Sequence, residues 1–428
     1  MTTTVQGSPR LRGIVRTVRG DIGKLLGTGM AGQALLVISG PLVARMLGPT
    51  GRGQAALILA VATVCNFLSI ASLIGGISRT VARRGGPARD VVGPFLPQWL
   101  LRCLGSAAVA VLAVAVMLRS ATGLPGMVAV AALITLTGGT LALVRAMLLG
   151  EGNIRRVTLA DLSLVGSYVL AVVVLFVVHR QSPVGVVMLA YLCGQLVSLA
   201  LVAGALRRPT GAPADPAART EAHRYARRAY FGSIANIDRV GLDSVLIGHL
   251  LGATLLGLFA VANAFATVPA MIVGPLAAAL LPRMAAHPPA EAAAMMRRWT
   301  LVATGLCLGA SVVLWAGMGQ LILLFFGAAF AHATWTGRFL LVANSAFALR
   351  VLLIAAAGAQ DRERTASRVS LVASVLALVG LAVGAHVDGL VGATVGMTIA
   401  AVAGLGVMAS VISWTGRGVV IVDQEAAA

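Results

Sequence analysis

Charged and amide side chains interrupt residues 230–250, a segment that is otherwise apolar enough to cross a membrane. Asp238 is one of them. Asn236, Arg239 and Asp243 are spaced at i, i+3 and i+7, which places all three on one face of a helix. A charge at the centre of a spanning helix costs about 2.5–3.5 kcal/mol even on the permissive insertion scale, so such side chains face a protein interior or a watery cavity. The polar face therefore predicts several membrane spans around a polar lumen.

Arg350 matches Arg239 in predicted depth, although the two arginines belong to different spans. At about 1.5 Å per helical residue, both lie roughly 15–16 Å from the cytoplasmic ends of their spans, which is near the midplane. A guanidinium can bind a pair of anionic oxygens, so we predict that both arginines, together with Asn236, bind a substrate inside the lumen. The alternative is that Asp238 and Asp243 only neutralise Arg239. The same two carboxylates are the candidates for carrying a coupling proton or Na⁺.

Three further charges lie within predicted spans but nearer to the membrane surfaces. Arg145 and Asp161 each lie about 8–9 Å from the cytoplasmic ends of consecutive spans, so we predict a structural ion pair between them. Arg45 lies near the outer end of the first span. Its side chain is long enough to reach the interface, and the alternative role is a contact with substrate.

Motifs for catalysis and for nucleotide binding are absent from the sequence. Residues 48–53 are rich in glycine but lack the P-loop pattern, and they predict a tight outer turn between two spans. The four cysteines fall within predicted spans without paired spacing, which predicts neither a disulfide nor a metal site. Gly392 and Gly396 form a Gly-x3-Gly face, which is typical of close helix packing. We expect no catalytic residue, no metal and no cofactor.

The composition places the chain among integral membrane proteins. Of its 428 residues, 58% are hydrophobic and 11% are charged, and the mean hydropathy is +0.93. Soluble domains average about 25% charged residues. The net charge of +19 comes from 33 basic and 14 acidic residues, and the basic ones fall in short clusters between apolar runs. This clustering is typical of topology signals rather than of nucleic-acid binding, so we expect no nucleic-acid partner.

Hydropathy predicts twelve segments long enough to cross the membrane, six in each half of the chain. The loops on one side of these spans, with the termini, hold 24 basic residues and those on the other side hold 4, so the positive-inside rule places both termini in the cytoplasm. The halves share a short repeat, because residues 47–53 and 251–257 match at an offset of 204. We therefore predict an all-α polytopic membrane protein whose two six-helix lobes are related by a pseudo-two-fold axis along the membrane normal.

Changes in composition divide the chain into five parts. We predict a cytoplasmic amphipathic segment over residues 1–24, an N-terminal lobe over 25–206 and a C-terminal lobe over 230–414. Residues 207–229 form the linker between the lobes, because they carry three prolines and six arginines. Residues 415–428 form a cytoplasmic tail.

Several short motifs resemble those of a known family. The first is ARMLGP at residues 44–49, followed by Gly51, Gly53, an apolar span and the arginine cluster of residues 79–84. The second half adds LLG at 250–252, GLFAVA at 257–262, LP at 281–282, FFG at 325–327 and GLVGAT at 389–394. In these motifs the chain is similar to the polysaccharide (oligosaccharide-lipid) flippases of the multidrug/oligosaccharidyl-lipid/polysaccharide exporter superfamily. It departs from them in carrying Thr50 and Gln54 where the family more often has an acidic and aromatic version of the first loop.

The resemblance implies a secondary transporter rather than an enzyme. Its two lobes would alternate access to a central cavity and move a polyprenyl-pyrophosphate-linked oligosaccharide, a polysaccharide precursor for the cell envelope, across the bacterial inner (plasma) membrane. Arg239 and Arg350 would then hold the pyrophosphate. The implied partners are this lipid-linked oligosaccharide, anionic lipids at the cytoplasmic face, H⁺ or Na⁺, and glycan-assembly enzymes.

Two other functions remain open at this point. A membrane glycan polymerase or ligase would be expected to present a sizeable outer loop with catalytic residues, and the predicted outer connections are short. A small-molecule or drug exporter of the same superfamily would be expected to carry a lumen dominated by carboxylates. The predicted midplane instead combines two arginines with Asp238 and Asp243, which does not decide between the exporter and the flippase.

Overall fold

The structure of the protein is a computed structural model that is all-helical in the part it describes. That part comprises residues 9–84, 87–179, 181–204, 206, 240–274, 289–358 and 363–416. Its helices are α1 (Pro9–Arg84), α2 (Ala88–Val92), α3 (Leu96–Met117), α4 (Leu124–Gly150), α5 (Ile154–Val178), α6 (Val184–Ala203), α7 (Leu242–Ala266), α8 (Pro289–Phe326), α9 (Ala333–Gly358) and α10 (Glu363–Gly416). Residues 268–274 are also helical, and no strand occurs among the residues described.

Nine helical stretches in these residues are long and apolar enough to cross a membrane. They are Leu35–Ile70, Leu96–Met117, Leu124–Gly150, Ile154–Val178, Val184–Ala203, Leu242–Ala266, Arg297–Phe326, Ala333–Ile354 and Thr365–Val411. Large apolar side chains are exposed along several of them, as with Leu170, Val173 and Val177 of α5. An exposed apolar surface of this kind is suited to lipid tails rather than to water. The predicted all-α, polytopic membrane protein is confirmed.

Three of these helices change direction at a glycine. Gly48 of α1, Gly252 of α7 and Gly389 of α10 have φ values of 65°, 85° and 53°, which only glycine adopts at little steric cost. In α7, a Cβ on Gly248 would lie 3.1 Å from the Leu256 side chain. Eight residues of straight helix span about 12 Å, so the chain folds back at Gly252. At Gly48 the turn that the sequence predicts is present, and Pro49 begins the second arm of α1.

The two arms of α10 pack against each other through facing glycines. A Cβ on Gly384 would lie 2.0 Å from the Gly392 carbonyl oxygen, and a Cβ on Gly396 would lie 2.1 Å from the Gly380 carbonyl oxygen. Such distances leave no room for any side chain, so the backbones touch. The helix-packing role predicted for Gly392 and Gly396 is confirmed, and the chain reverses between the arms at Asp388 and Gly389.

The largest buried core among the described residues includes the contact between α1 and α7, and it extends to the other long helices of both halves, α9 and α10 among them. Leu57 and Ile58 of α1, Phe259 of α7 and Leu340 of α9 are fully buried in one continuous cluster. On its other side α1 packs against α3, α4 and α5, while α7 packs against α9 and α10. The two chain segments that share the sequence repeat are therefore the central elements of the fold.

Several predictions concern residues outside the described part of the chain. These are residues 1–8 and the side chains of residues 9–24 in the N-terminal segment, the linker over 207–229, residues 417–428 of the tail, and Asn236, Asp238 and Arg239. Their predicted roles stay predictions.

Candidate functional site

Helices α1 and α7 approach each other closely at a pair of glycines. A Cβ on Gly53 would lie 1.7 Å from the Ala253 carbonyl oxygen, and a Cβ on Gly257 would lie 1.9 Å from the Pro49 carbonyl oxygen. Real Cβ atoms do not approach an oxygen this closely, so only glycine fits at either position in this conformation. We call this contact, between residues 49–53 and 253–257, the glycine crossing.

The glycine crossing is reciprocal. At the repeat offset of 204 residues, Pro49 corresponds to Ala253 and Gly53 corresponds to Gly257. Gly53 contacts Ala253, which is the counterpart of Pro49, and Gly257 contacts Pro49 itself. Thr50 Oγ1 and Thr254 Oγ1, which are also 204 residues apart, lie 2.9 Å from each other. Contacts in which each residue meets its partner's counterpart are typical of a local two-fold axis. The sequence repeat thus forms a contact with itself, which the repeat alone did not predict.

Arg45 provides a second bridge near the same end of the helices. Its Nη2 donates a hydrogen bond of 2.7 Å to the carbonyl oxygen of Leu324, 279 residues further along the chain. Leu324 belongs to the last turn of α8, where carbonyl groups have no partner within the helix. Arg45 therefore caps α8 from the first half of the chain, while the rest of its side chain stays exposed.

Arg350 is enclosed in the second half of the chain. Its side chain is 1% exposed, its Nη2 donates to Ser374 Oγ at 3.2 Å, and its guanidinium lies 5.1 Å from the centre of the Phe347 ring. These contacts hold it between α9 and the first arm of α10. In this conformation a substrate reaches Arg350 only if those helices move apart.

Asp243 lies in the first turn of α7 and is also buried. Its Oδ1 accepts a hydrogen bond of 2.7 Å from the backbone N–H of Ser244. This local bond ties the carboxylate to the helix start. Asp243 is the member of the predicted polar face that lies within the described residues.

Arg145 and Asp161 form an ion pair, with Nη2 and Oδ2 2.7 Å apart. Their side chains are 46% and 35% exposed. Asp161 follows the exposed Leu159 by two residues, which turns it about 200° around α5, away from the apolar side that includes Leu170. The pair therefore lies on the side of α5 away from its apolar surface and is partly accessible there. Charges within a membrane-spanning segment are stable in such a place when water can reach them.

These features can support binding and conformational change. No group of three or more His, Cys, Asp or Glu side chains within the described ranges is arranged to hold a metal ion. The polar features are instead an accessible ion pair, a buried arginine, and a contact between the two repeats that only glycine permits.

Comparisons with known proteins agree on the fold. A family model described as polysaccharide biosynthesis protein matches residues 20–287. An inward-facing conformation of a multidrug resistance MATE family transporter of the MOP superfamily has a TM-score of 0.73 at 17% identity, covering 90% of this chain and 96% of its own. The lipid II flippase MurJ, in an inward closed conformation, has a TM-score of 0.73 at 10% identity, and the match covers 91% of this chain and 87% of MurJ. An outward-facing conformation of a multidrug resistance MATE family transporter has a TM-score of 0.61 at 15% identity, and the match covers 93% of this chain and 96% of that one. No curated protein matches the chain.

Proposed function

Because the chain belongs to the polysaccharide biosynthesis protein family and has the fold of MOP superfamily transporters, we propose that it moves a polyprenyl-pyrophosphate-linked oligosaccharide across the bacterial inner membrane. The protein is a membrane transporter of this superfamily. In the proposal, the sugar and pyrophosphate pass between two lobes while the polyprenyl tail stays in lipid. No bond in the substrate is made or broken.

The proposed architecture has twelve membrane crossings in two lobes, with both termini in the cytoplasm. The direction changes at Gly48, Gly252 and Gly389 support it, because they would divide three of the nine apolar helices and raise the number of crossings to twelve. The reciprocal contacts of the glycine crossing support a two-fold relation between the lobes.

The glycine crossing is the observation that carries the proposed mechanism. With cytoplasmic termini, it lies at the outer end of the helices, where two backbones in contact leave no passage between the lobes. The higher TM-scores to the two inward conformations, 0.73 against 0.61 for the outward one, support a state that is closed on the outer side. Alternating access would then require the crossing to separate so that the substrate can leave.

The proposed substrate contacts are Arg239, Arg350 and Asn236, with the two guanidinium groups holding the pyrophosphate. Arg350 is enclosed by α9 and α10 in this state, so it would take part only when these helices separate. Asp238 and Asp243 are the candidates for a coupling ion, and an ion gradient or substrate pull would drive transport without ATP. Glycan-assembly enzymes would supply and consume the substrate.

Export of a small organic cation is the second candidate function, because the multidrug transporter and the lipid II flippase have the same TM-score to this chain. The two functions differ in the charge that the lumen must hold. A lumen for a lipid-linked pyrophosphate needs basic groups, as in the proposed pair of arginines, whereas a cation needs unpaired carboxylates.

Reconstitution of the whole protein in sealed vesicles tests both functions. One set of vesicles contains a fluorescent polyprenyl-pyrophosphate oligosaccharide, whose transfer is read with a membrane-impermeant quencher, and the other contains ethidium. We expect transfer of the lipid with no dependence on ATP and no gradient-driven movement of ethidium. Movement of ethidium without transfer of the lipid would replace the flippase by the exporter.

A further inference from the structure

A cavity of about 990 Å³ lies beside the glycine crossing, at the same end of the helices. Its walls are the turn of α1 from Arg45 to Gln54, the start of α4 and the start of α6. Small-molecule sites in proteins have volumes of about 300–1,000 Å³, so the cavity is large enough for a sugar-sized ligand. None of the roles assigned above uses it.

The charge of the cavity wall favours an anion. Arg45 contributes a guanidinium, and no Asp or Glu is among the described residues that line the space. A guanidinium has five N–H groups, and the bond to Leu324 occupies one of them. Arg45 can therefore keep its contact with α8 and still donate to a phosphate in the cavity.

The helix ends at the wall reinforce this preference. Both α4, with 27 residues, and α6, with 20 residues, begin there, and neither Gly123 nor Pro183 caps its helix through a side chain. The first N–H groups of a helix have no partner within it and carry a partial positive charge. They add donors and positive potential to those of Arg45.

The remaining polar groups on the wall suit hydroxyl groups. Gln54 and Gln181 offer amides, and Thr122 and Ser182 offer hydroxyls, so both donors and acceptors are available. We infer that the cavity is a binding site for a headgroup that combines a phosphate with hydroxyl groups, such as a sugar phosphate. The inference rests on the proposed function in one respect, which is that this end of the helices is the outer side. The headgroup there can come from a soluble sugar phosphate or from a lipid of the outer leaflet.

Calorimetry on the whole protein in phosphatidylcholine nanodiscs tests the site, with glucose 1-phosphate as the probe and glucose as its uncharged counterpart. We expect saturable binding of glucose 1-phosphate and at least tenfold weaker binding of glucose. Loss of a charge-assisted contact should weaken binding roughly ten- to hundred-fold in Arg45→Gln. The matched control is Arg119→Gln, which removes an exposed arginine that does not line the cavity.

A second variant tests the space rather than the charge. Gly126 lines the cavity and has no atom within 4 Å of the position of a Cβ, so Gly126→Leu should fold normally and block binding. In nanodiscs that contain phosphatidylglycerol, competition with glucose 1-phosphate would assign the site to a lipid headgroup, and its absence would assign it to the soluble ligand. No saturable binding of glucose 1-phosphate, equal affinity for glucose, or an equal loss in Arg119→Gln would overturn the inference.

The binding and transfer experiments together separate this inference from the proposed function. A protein that transfers the lipid-linked oligosaccharide in vesicles but binds no glucose 1-phosphate would retain the function and lose the site. A protein that binds glucose 1-phosphate through Arg45 but transfers no lipid would retain the site and lose the function.

Discussion

Arg350 combines full burial with contacts that fit two roles. Its bond to Ser374 and its position over the Phe347 ring compensate a guanidinium inside the protein, as a structural arginine between α9 and α10 requires. The same side chain would meet a substrate phosphate if those helices separate during transport. The two roles affect stability and transport differently, so they can be told apart.

For the substrate role, we expect Arg350→Gln to lower the initial rate of lipid transfer roughly ten- to hundred-fold, because one charge-assisted hydrogen bond contributes about 1.5–3 kcal/mol. Arg350→Lys should recover part of this loss, since it keeps the charge but not the planar donor pair. The rates are measured in proteoliposomes, with thermal unfolding in detergent as a check on folding. Ser374→Ala is the control, because it removes one hydrogen-bond partner of Arg350 and keeps the charge. An equal loss of transfer in Ser374→Ala would leave Arg350 a structural role only.

At the scale of the helices, the glycine crossing restricts how α1 and α7 can pack. The two carbonyl oxygens, of Ala253 and Pro49, occupy the places where side chains of Gly53 and Gly257 would lie. Any larger residue must push the helices apart, and this movement is the one that opening of the crossing requires. Substitution should therefore act on this state of the protein more than on the individual helices.

We expect Gly53→Ala to destabilise this state by about 1–3 kcal/mol, the usual cost of overpacking a close contact. Thermal unfolding of the purified protein, followed by circular dichroism, measures the change. The control is Gly75→Ala in the same helix, where a Cβ would meet no atom within 4 Å. Alanine should be neutral there or stabilising by up to about 1 kcal/mol. If the two variants unfold at the same temperature, the contact at Gly53 is looser than the structure indicates.

At the scale of the whole molecule, the glycine crossing joins segments that are far apart in the chain and belong to the two predicted lobes. Thr50 and Thr254 lie close enough across it for their cysteine replacements to form a disulfide, since their hydroxyl oxygens are 2.9 Å apart. Such a bond would hold the predicted outer side closed. Alternating access cannot proceed under that constraint.

We expect the oxidised Thr50→Cys, Thr254→Cys double variant to lose lipid transfer and to regain it after reduction with dithiothreitol. The four native cysteines are not in disulfides, so each single variant under the same oxidant is the control for side reactions. Normal transfer by the fully cross-linked protein would show that transport does not require the crossing to open.

The predicted topology has its own test, which rests on the distribution of 24 basic residues on one side against 4 on the other. A reporter enzyme that is active only outside the cytoplasm should give no signal when fused at residue 215, in the predicted linker. Fusion at Gln181, between α5 and α6, should give a signal. The opposite pair of results would invert the assignment of inner and outer faces.

The sequence by itself determined the class of the protein, its apolar helices, its family resemblance, the turn at Gly48 and the packing face at Gly392 and Gly396. These features depend on local composition and on the spacing of nearby residues, which a linear sequence carries in full. The same reasoning placed Arg145 and Asp161 at one depth on consecutive spans, and the structure shows them in contact.

Tertiary structure decided which distant residues meet. That Arg45 caps α8 at Leu324, that Arg350 is enclosed beside Ser374, and that a cavity opens beside the glycine crossing depend on how separate helices pack, which no local pattern specifies. The repeat at an offset of 204 residues was visible in the sequence, but its self-contact through Gly53 and Gly257 was not. Two related segments fold into similar local structures, and the sequence is enough to show that similarity. Whether the two segments contact each other depends on how their helices pack, and this packing is set by the burial of apolar surface over the entire chain.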